Sequence, residues 1–160
     1  MLHPKALIKM FAYNVELVNK QTAAMTHQES LLQLPFEANC LNWVLGHIVS
    51  SRTLPLQLLG EQALWTDRQR ARYRHGSANI LRDGEGVIKL RDLVADLNLS
   101  HQRLVDGLSR MSYDEMCRPS GYRDNTLGDS LAYFQFHEAH HVGQILYLAQ
   151  FAGQAGVWIS

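Results

Sequence analysis

Cysteine is scarce in this chain of 160 residues, which contains only Cys40 and Cys117. The two residues lie far apart in the sequence and match no spacing typical of a zinc or redox site. The scarcity excludes a disulfide-rich scaffold, although a single disulfide between the two stays open. So few cysteines are more typical of a reduced protein, and we therefore expect this one to be cytoplasmic.

The sequence also lacks an excess of charge and any long apolar run. Charged residues make up 19% of the chain, and 15 basic residues balance 15 acidic ones. Nucleic-acid-binding domains usually carry a basic excess or patch, so no nucleic-acid partner is expected. No window of about 18 apolar residues occurs, and the first residues lack the apolar segment of a signal peptide. We therefore expect no membrane span.

Apolar residues are nevertheless numerous enough for one sizeable core. They make up 46% of the chain, and a chain of this length usually forms one domain. Apolar residues recur at helical intervals in four segments, whereas no segment alternates as a strand does. We therefore predict an all-α fold, a four-helix bundle formed by a single domain over residues 1–160. The helices are predicted over residues 4–25, 39–59, 86–110 and 126–152.

A long polar segment, residues 60–86, separates the second predicted helix from the third. Its length predicts a crossover that spans the bundle, with at most a short helical turn. The densest group of arginines, between residues 68 and 74, falls in this segment and is interpreted as solvated loop. Within the second helix, Pro55 should cause a kink or an early end. Thr126 followed by Asp129 resembles a capping box at the start of the fourth helix.

Histidine is abundant, with eight residues, three of them within the five positions from His137 to His141. His137 and His141 are four residues apart, which places them on one helix face with Cβ atoms roughly 5–6 Å apart. At about 100° per residue, the apolar residues of this helix centre on His141, with His137 about 40° away. His140 lies about 100° from His141, with Tyr133 and Tyr147. We therefore predict His137 and His141 in the middle of the buried face and His140 on a flank.

His47 occupies a similar inward position on the second helix, in one stripe with Trp43 and Leu54. Burial of an imidazole without a partner is costly, and a single inward histidine is usually a hydrogen-bonded core residue. Three inward histidines on two helices instead favour a metal site. We therefore predict that His47, His137 and His141 bind one divalent transition metal. Three protein ligands leave a coordination position open, as in catalytic zinc sites.

Three further polar residues lie near the predicted inner faces, and the sequence leaves their roles open. The heptad-like spacing of apolar residues in the third predicted helix places His101 on its inner face. His101 is then a fourth ligand, a partner of a ligand, or a core residue. Asn14 falls in the inner stripe of the first helix, where a buried amide needs hydrogen-bond partners. Glu138 lies about 60° from the centre of the stripe and is a base or a partner of a ligand.

Residues 137–141 formally match the H-E-x-x-H motif of zinc peptidases, in which the glutamate is the general base. The third zinc ligand of those enzymes usually lies downstream. Residues 142–160 contain no Asp, Glu, His or Cys. Gln144 and Tyr147 stand where the extended motif requires Gly and His. These departures disfavour a peptidase.

Two segments together resemble the DinB/YfiT-like superfamily of metalloenzymes. They are residues 42–48, Asn-Trp-Val-Leu-Gly-His-Ile, and residues 137–145, His-Glu-Ala-His-His-Val-Gly-Gln-Ile. The pair Tyr13 and Asn14 adds a weaker match. The resemblance extends over essentially the whole chain. It implies a four-helix bundle with a three-histidine site for zinc or nickel, often in a homodimer, and it assigns the ligand role to His47, His137 and His141.

The resemblance also implies a class of activity, because several relatives are S-transferases or isomerases that use low-molecular-weight thiols. A metal lowers the pKa of a bound thiol or water, so attack by thiolate on an electrophilic carbon and hydrolysis of an ester or amide both stay open. Imidazole ligands do not choose zinc over nickel. The alternative is a metal-binding or dimerisation module without turnover, and the aromatic flank of Tyr133, Phe136 and Tyr147 fits a dimer. A solvent-reachable pocket beside the metal would favour catalysis.

Overall fold

The computed structural model describes residues 2–155, and this part of the chain contains helices and no strand. Its only β-type pairing is an isolated antiparallel bridge between Pro119 and Thr126. The predicted all-α class is therefore confirmed. The helices are α1 (Pro4–Thr22), α2 (Leu41–Ser51), α3 (Thr53–Leu58), α4 (Asp67–Tyr73), α5 (Leu90–Ser109), α6 (Tyr113–Met116) and α7 (Leu127–Phe151), with a short 3-10 turn at Glu29–Leu31.

Helix ends follow the local signals of the sequence. Pro4 occupies the first turn of α1, where the His3 side chain accepts a hydrogen bond from the Lys5 N–H. Thr126 caps α7 by accepting from the Asp129 N–H at 3.1 Å, as the sequence predicts. These side chains satisfy N–H groups that have no partner within the helix.

The second predicted helix is interrupted at Arg52, which separates α2 from α3. Pro55 has no N–H and therefore cannot donate to the carbonyl of Ser51, so the helical ladder loses one bond there. The neighbouring bonds persist, since Arg52 N–H donates to Ile48 and Leu56 N–H donates to Arg52, both at 3.1 Å. The interruption expected from Pro55 is thus observed, and Arg52 lies at the junction of the two helices.

The segment between α3 and α5 is more ordered than predicted, because residues 67–73 form α4. Thr66 and Gln69 form a capping box at its start. The interpretation of its arginines as loop was therefore wrong. Tyr73 at its end is fully buried, and its hydroxyl accepts from the Ile88 N–H at 2.7 Å and donates to Asn42 at 3.1 Å. The Ile88 carbonyl also accepts from Asn42 Nδ2 at 2.9 Å, and α5 begins at Leu90 rather than near residue 86 as predicted.

The core consists of two apolar clusters. Helix α1 packs on α5 and α7, and α2 packs on the same two helices. One cluster surrounds Trp43, Tyr73 and Ile145, whereas the other surrounds Phe11 and Leu131. In the described part of the chain, no helix combines the length and hydropathy that crossing a membrane requires.

The buried face of α7 differs from the predicted one. Leu131, Glu138, Val142 and Ile145 are all buried, so the face centres on Glu138 rather than on His141. His137 and His141 are half-buried at its edge. The prediction that they occupy the middle of the face was wrong, because it centred the face on apolar residues alone and left Glu138 about 60° to one side. Arg52, at the junction of α2 and α3, pairs with Glu138 and makes its burial possible.

Candidate metal centre

Three imidazoles converge where α2 meets α7. His137 Nε2 lies 3.4 Å from His47 Nε2 and 3.2 Å from His141 Nε2. All three ligand atoms lie within 4.8 Å of one another. A metal bound to nitrogen at 2.0–2.1 Å in tetrahedral geometry places its ligand atoms about 3.3 Å apart. The two distances from His137 therefore match the spacing that one such ion requires, and the ligand atoms of His47 and His141 lie within 4.8 Å of each other.

His47 is held in one orientation by its surroundings. Its Nδ1 lies 2.7 Å from the carbonyl oxygen of Tyr73. Since a carbonyl only accepts, Nδ1 carries the proton and Nε2 keeps its lone pair for a metal. The Trp43 ring stacks on the imidazole with centroids 4.9 Å apart and planes 10° apart. A carbonyl that fixes the tautomer in this way is the usual partner of a metal-binding histidine.

Gly46 is the residue that allows Tyr73 to reach His47. A Cβ atom on Gly46 would lie 2.1 Å from Tyr73 Cδ1 and 2.3 Å from Cε1. The tyrosine ring thus lies directly on the backbone of α2, and its carbonyl is brought to the imidazole. Reasoning from the sequence did not find Tyr73. The available signal was a glycine inside an apolar helix, next to a candidate ligand.

We expect Gly46→Ala to destabilise the protein by roughly 3 kcal/mol, because the new methyl group overlaps a fully buried ring. We also expect weaker metal binding, since Tyr73 must move away from His47. Chemical denaturation and metal titration measure the two effects. Gly143→Ala is the matched control, because Gly143 is also on a helix but nothing lies within 4 Å of its added Cβ. It should be neutral or stabilising by up to about 1 kcal/mol. Equal effects of the two substitutions would contradict the role of Gly46.

His141 has its own orienting partner. Its Nδ1 lies 2.7 Å from Gln144 Oε1, one helical turn further along α7. The amide oxygen accepts the Nδ1 proton, so the Nε2 lone pair of His141 faces the other two ligand atoms. His137 packs against Tyr133, with ring centroids 6.4 Å apart. Each of the three imidazoles is therefore positioned by a contact outside the group.

The imidazoles are held in the neutral form that binds metals. Burial lowers the pKa of His47 and of His141. Burial, together with the neighbouring His141 and His47, lowers the pKa of His137 to about 4. At neutral pH the site therefore offers three lone pairs without first having to release protons.

Next to the histidines lies a buried ion pair between Arg52 and Glu138. Arg52 Nε donates to Glu138 Oε2 at 2.7 Å, and the second guanidinium nitrogen facing the carboxylate donates to Oε1 at 2.8 Å. Their side chains are 2% and 5% exposed. Arg52 also donates to the Leu97 carbonyl and to Ser100 on α5, each at 2.8 Å. The pair therefore joins the α2–α3 junction to α5 and α7.

This pair settles the roles of Glu138 and Asn14 in the described structure. Asn14 Nδ2 donates to Glu138 Oε1 at 3.2 Å, so both carboxylate oxygens are engaged by protein donors. A carboxylate in this position is not available as the base that the H-E-x-x-H motif requires. Asn14 fulfils the structural alternative. Arg52 was missed in the sequence, where an arginine within a strongly apolar helical segment was the available signal.

The other two histidines considered are outside the group. His101 is half-buried on α5, and its pKa is lowered by burial and by the Arg52 charge. His140 is exposed beside His141, with ring centroids 5.1 Å apart. Neither belongs to the three-histidine group found among residues 2–155.

Comparison with known proteins agrees with this arrangement. The family model of the DinB superfamily matches residues 16–145. This chain belongs to the DinB superfamily. The match includes α2 and the part of α7 that carries the histidines. No curated protein matches the chain. Family membership and the three-histidine group are together compatible with metal binding by this DinB protein.

Proposed function

We propose that this DinB protein binds one divalent transition metal ion, zinc or nickel, through His47, His137 and His141. The observation that carries the proposal is the convergence of three imidazoles, in which His137 Nε2 lies 3.4 Å from His47 Nε2 and 3.2 Å from His141 Nε2, close to the spacing of tetrahedral ligands. Tyr73 and Gln144 supply the acceptors that orient two of the three rings. We also propose that α1, α2, α5 and α7 form the four-helix bundle expected from the sequence, in a single domain.

We further propose that the protein is a metal-dependent enzyme, in particular an S-transferase that uses a low-molecular-weight thiol. Three protein ligands leave a coordination position open, and a cavity of about 700 Å³ borders His47 and His141. A sealed site would instead favour a structural metal. When bound, the metal supplies a Lewis acid that lowers the pKa of a thiol or of water.

In this reaction the thiol loses its proton to solvent, and its sulfur forms a bond to an electrophilic carbon of the second substrate. The bond between that carbon and its leaving group breaks, and the leaving group keeps the bonding electrons. The chain's own contribution is to hold the neutral imidazoles of His47, His137 and His141 in place. We assign no residue as base, since Glu138 is engaged by Arg52.

The test is thiol consumption by zinc- or nickel-loaded protein in the presence of an alkyl halide or epoxide. We expect activity in the loaded protein and a loss of at least about 100-fold in His47→Ala, which removes one ligand. His140→Ala is the control, because His140 is exposed and outside the group. Activity retained in His47→Ala would refute the assignment. Ester hydrolysis without thiol consumption would support a hydrolase in its place.

The second candidate function is a metal-binding module that dimerises without turnover. The observation in its favour is the exposed aromatic surface of α7, where Tyr133, Phe136 and Tyr147 are 38%, 69% and 74% exposed. Exposed aromatic residues on one helix face often mark an interface. We propose a homodimer through this surface in either case, and light scattering on Phe136→Asp should show a smaller species. We also propose that the protein is cytoplasmic, as its two cysteines suggest.

A further inference from the structure

The cavity beside the histidines is large and almost without charge. Its volume of about 700 Å³ is in the range of small-molecule binding sites. His47 and His141 form part of its wall. Among the residues of the described chain that line it, none is Asp, Glu, Lys or Arg. A ligand that enters this space therefore meets mainly apolar side chains on its way to the metal ligands.

Three aromatic side chains shape this cavity. Trp43 is buried, donates to Ser77 at 2.9 Å and stacks on His47, so it forms a fixed surface beside the ligands. Phe36 lines the cavity as well but is 66% exposed, and Tyr147, which is also in the wall, belongs to the aromatic surface proposed for the dimer. Exposed aromatic rings around a cavity gain contact area when a flat apolar molecule binds between them. The shape of the wall thus favours a ring or another flat apolar group.

Besides the proposed metal ligands, the wall contains the polar side chains of Asn39, His75 and Gln144, and Gln144 is the one that is hydrogen-bonded to a proposed ligand. Gln144 uses its Oε1 to accept the proton of His141 Nδ1. Its amide NH₂ donates to no acceptor in residues 2–155, although the side chain lines the cavity. This NH₂ group can donate to an acceptor on a bound molecule. A small number of polar groups in a mainly apolar pocket is what fixes the orientation of a ligand.

We propose, on the basis of the proposed metal function, that the cavity binds the electrophilic substrate, an uncharged molecule with an aromatic or similarly flat apolar body. A hydrogen-bond acceptor near its reactive carbon contacts the amide of Gln144. A peptide-like thiol carries carboxylates and an ammonium group, but the described wall contains no Asp, Glu, Lys or Arg, and outside the metal group only His75 can take a positive charge. The thiol therefore places only its sulfur near His47, His137 and His141, and the apolar cavity is left to the second substrate.

Three hydroxamates with the same metal-binding group test this assignment by calorimetry on zinc- or nickel-loaded protein. Acetohydroxamate carries a methyl group, benzohydroxamate a phenyl ring, and 4-carboxybenzohydroxamate a charged ring. We expect benzohydroxamate to bind at least about tenfold more tightly than acetohydroxamate, because the ring leaves water for the cavity. The carboxylate should remove most of this gain.

Substitution of the cavity rim makes the test specific. Phe36→Ser should weaken benzohydroxamate binding about fivefold and leave acetohydroxamate unchanged. Leu81→Ser is the matched control, because Leu81 also lies outside the helices and is 68% exposed, but is not part of the cavity wall. It should change neither affinity.

The outcomes separate the two proposals. If the protein takes up no metal, both the metal function and the substrate assignment are overturned. If metal and acetohydroxamate bind but the phenyl ring gives no gain, or Phe36→Ser has no effect, only the substrate assignment fails. If 4-carboxybenzohydroxamate binds as tightly as benzohydroxamate, the substrate is not restricted to uncharged molecules and the assignment fails on that point.

Discussion

Untagged protein purified without chelator is expected to contain about one zinc or nickel per chain, and His141→Ala is expected to have lost most of it. The reason is the geometry of the group, in which His141 Nε2 lies 3.2 Å from His137 Nε2. Loss of a residue that only orients a ligand costs 10–100-fold in metal affinity, so loss of a ligand should cost at least about 100-fold. Elemental mass spectrometry and competition titration with a chelator measure the two quantities.

His140→Ala is the control for this experiment. The two histidines are adjacent on α7, but His140 is exposed and does not belong to the three-histidine group. The control should therefore keep its metal and its affinity. Absence of metal from the unmodified protein, with no uptake on addition of zinc or nickel, would mean that the histidines serve as core residues. Equal losses in both variants would show that His140 was wrongly left out.

A smaller loss is expected for Gln144→Leu. Gln144 Oε1 contacts the Nδ1 atom of His141. This atom lies on the opposite side of the imidazole from Nε2, which faces the other two histidines. The substitution keeps all three metal-binding histidines, but it removes the acceptor that fixes the tautomer of His141. We expect the metal content to stay near one and the affinity to fall about tenfold. A graded series, in which Gln144→Leu lies between the control and His141→Ala, would separate ligands from the residues that orient them.

The histidine group could be predicted from the sequence because it depends on short-range spacing. His137 and His141 share a helix face whatever the rest of the fold, since they are four residues apart. His47 could be added because its neighbours Trp43 and Leu54 placed it inward. The orientation of the His47 ring could not be predicted in this way. It depends on Tyr73, which lies 26 residues from His47 along the chain and reaches it only after α4 has packed on α2.

The buried face of α7 shows where the spacing of apolar residues was insufficient as a basis for prediction. The apolar residues of the helix left Glu138 about 60° from the predicted centre of the face, and a carboxylate alone is costly to bury. The structure buries it because Arg52, 86 residues away along the chain, supplies two donors. No periodicity within one helix contains that information. The centre of the face was therefore predicted about 60° around the helix from its true position, and the ion pair was missed.

The ion pair leads to the second large effect. We expect Arg52→Met to destabilise the protein by about 3–5 kcal/mol, because it leaves Glu138 buried without its cation. The Leu97 carbonyl and Ser100 lose a donor at the same time. Urea denaturation measures the change. Arg68→Met is the control, since Arg68 pairs with Glu85 at 2.7 Å on the surface with both side chains more than 85% exposed. It should cost less than about 1 kcal/mol.

The double variant Arg52→Met, Glu138→Leu tests whether the loss comes from the stranded charge. Replacement of both partners of a buried pair by apolar residues is often neutral or stabilising, so the double variant should be more stable than Arg52→Met alone. A double variant as unstable as the sum of the single ones would contradict coupling between the two residues.

The metal affinity of the double variant carries separate information. Arg52 lies five residues from His47 and Glu138 lies next to His137, so the pair joins the end of α2 to α7 close to the proposed ligands. A variant that regains stability but binds metal more weakly would show that the pair positions the ligands, whereas full recovery of both would limit its role to stability.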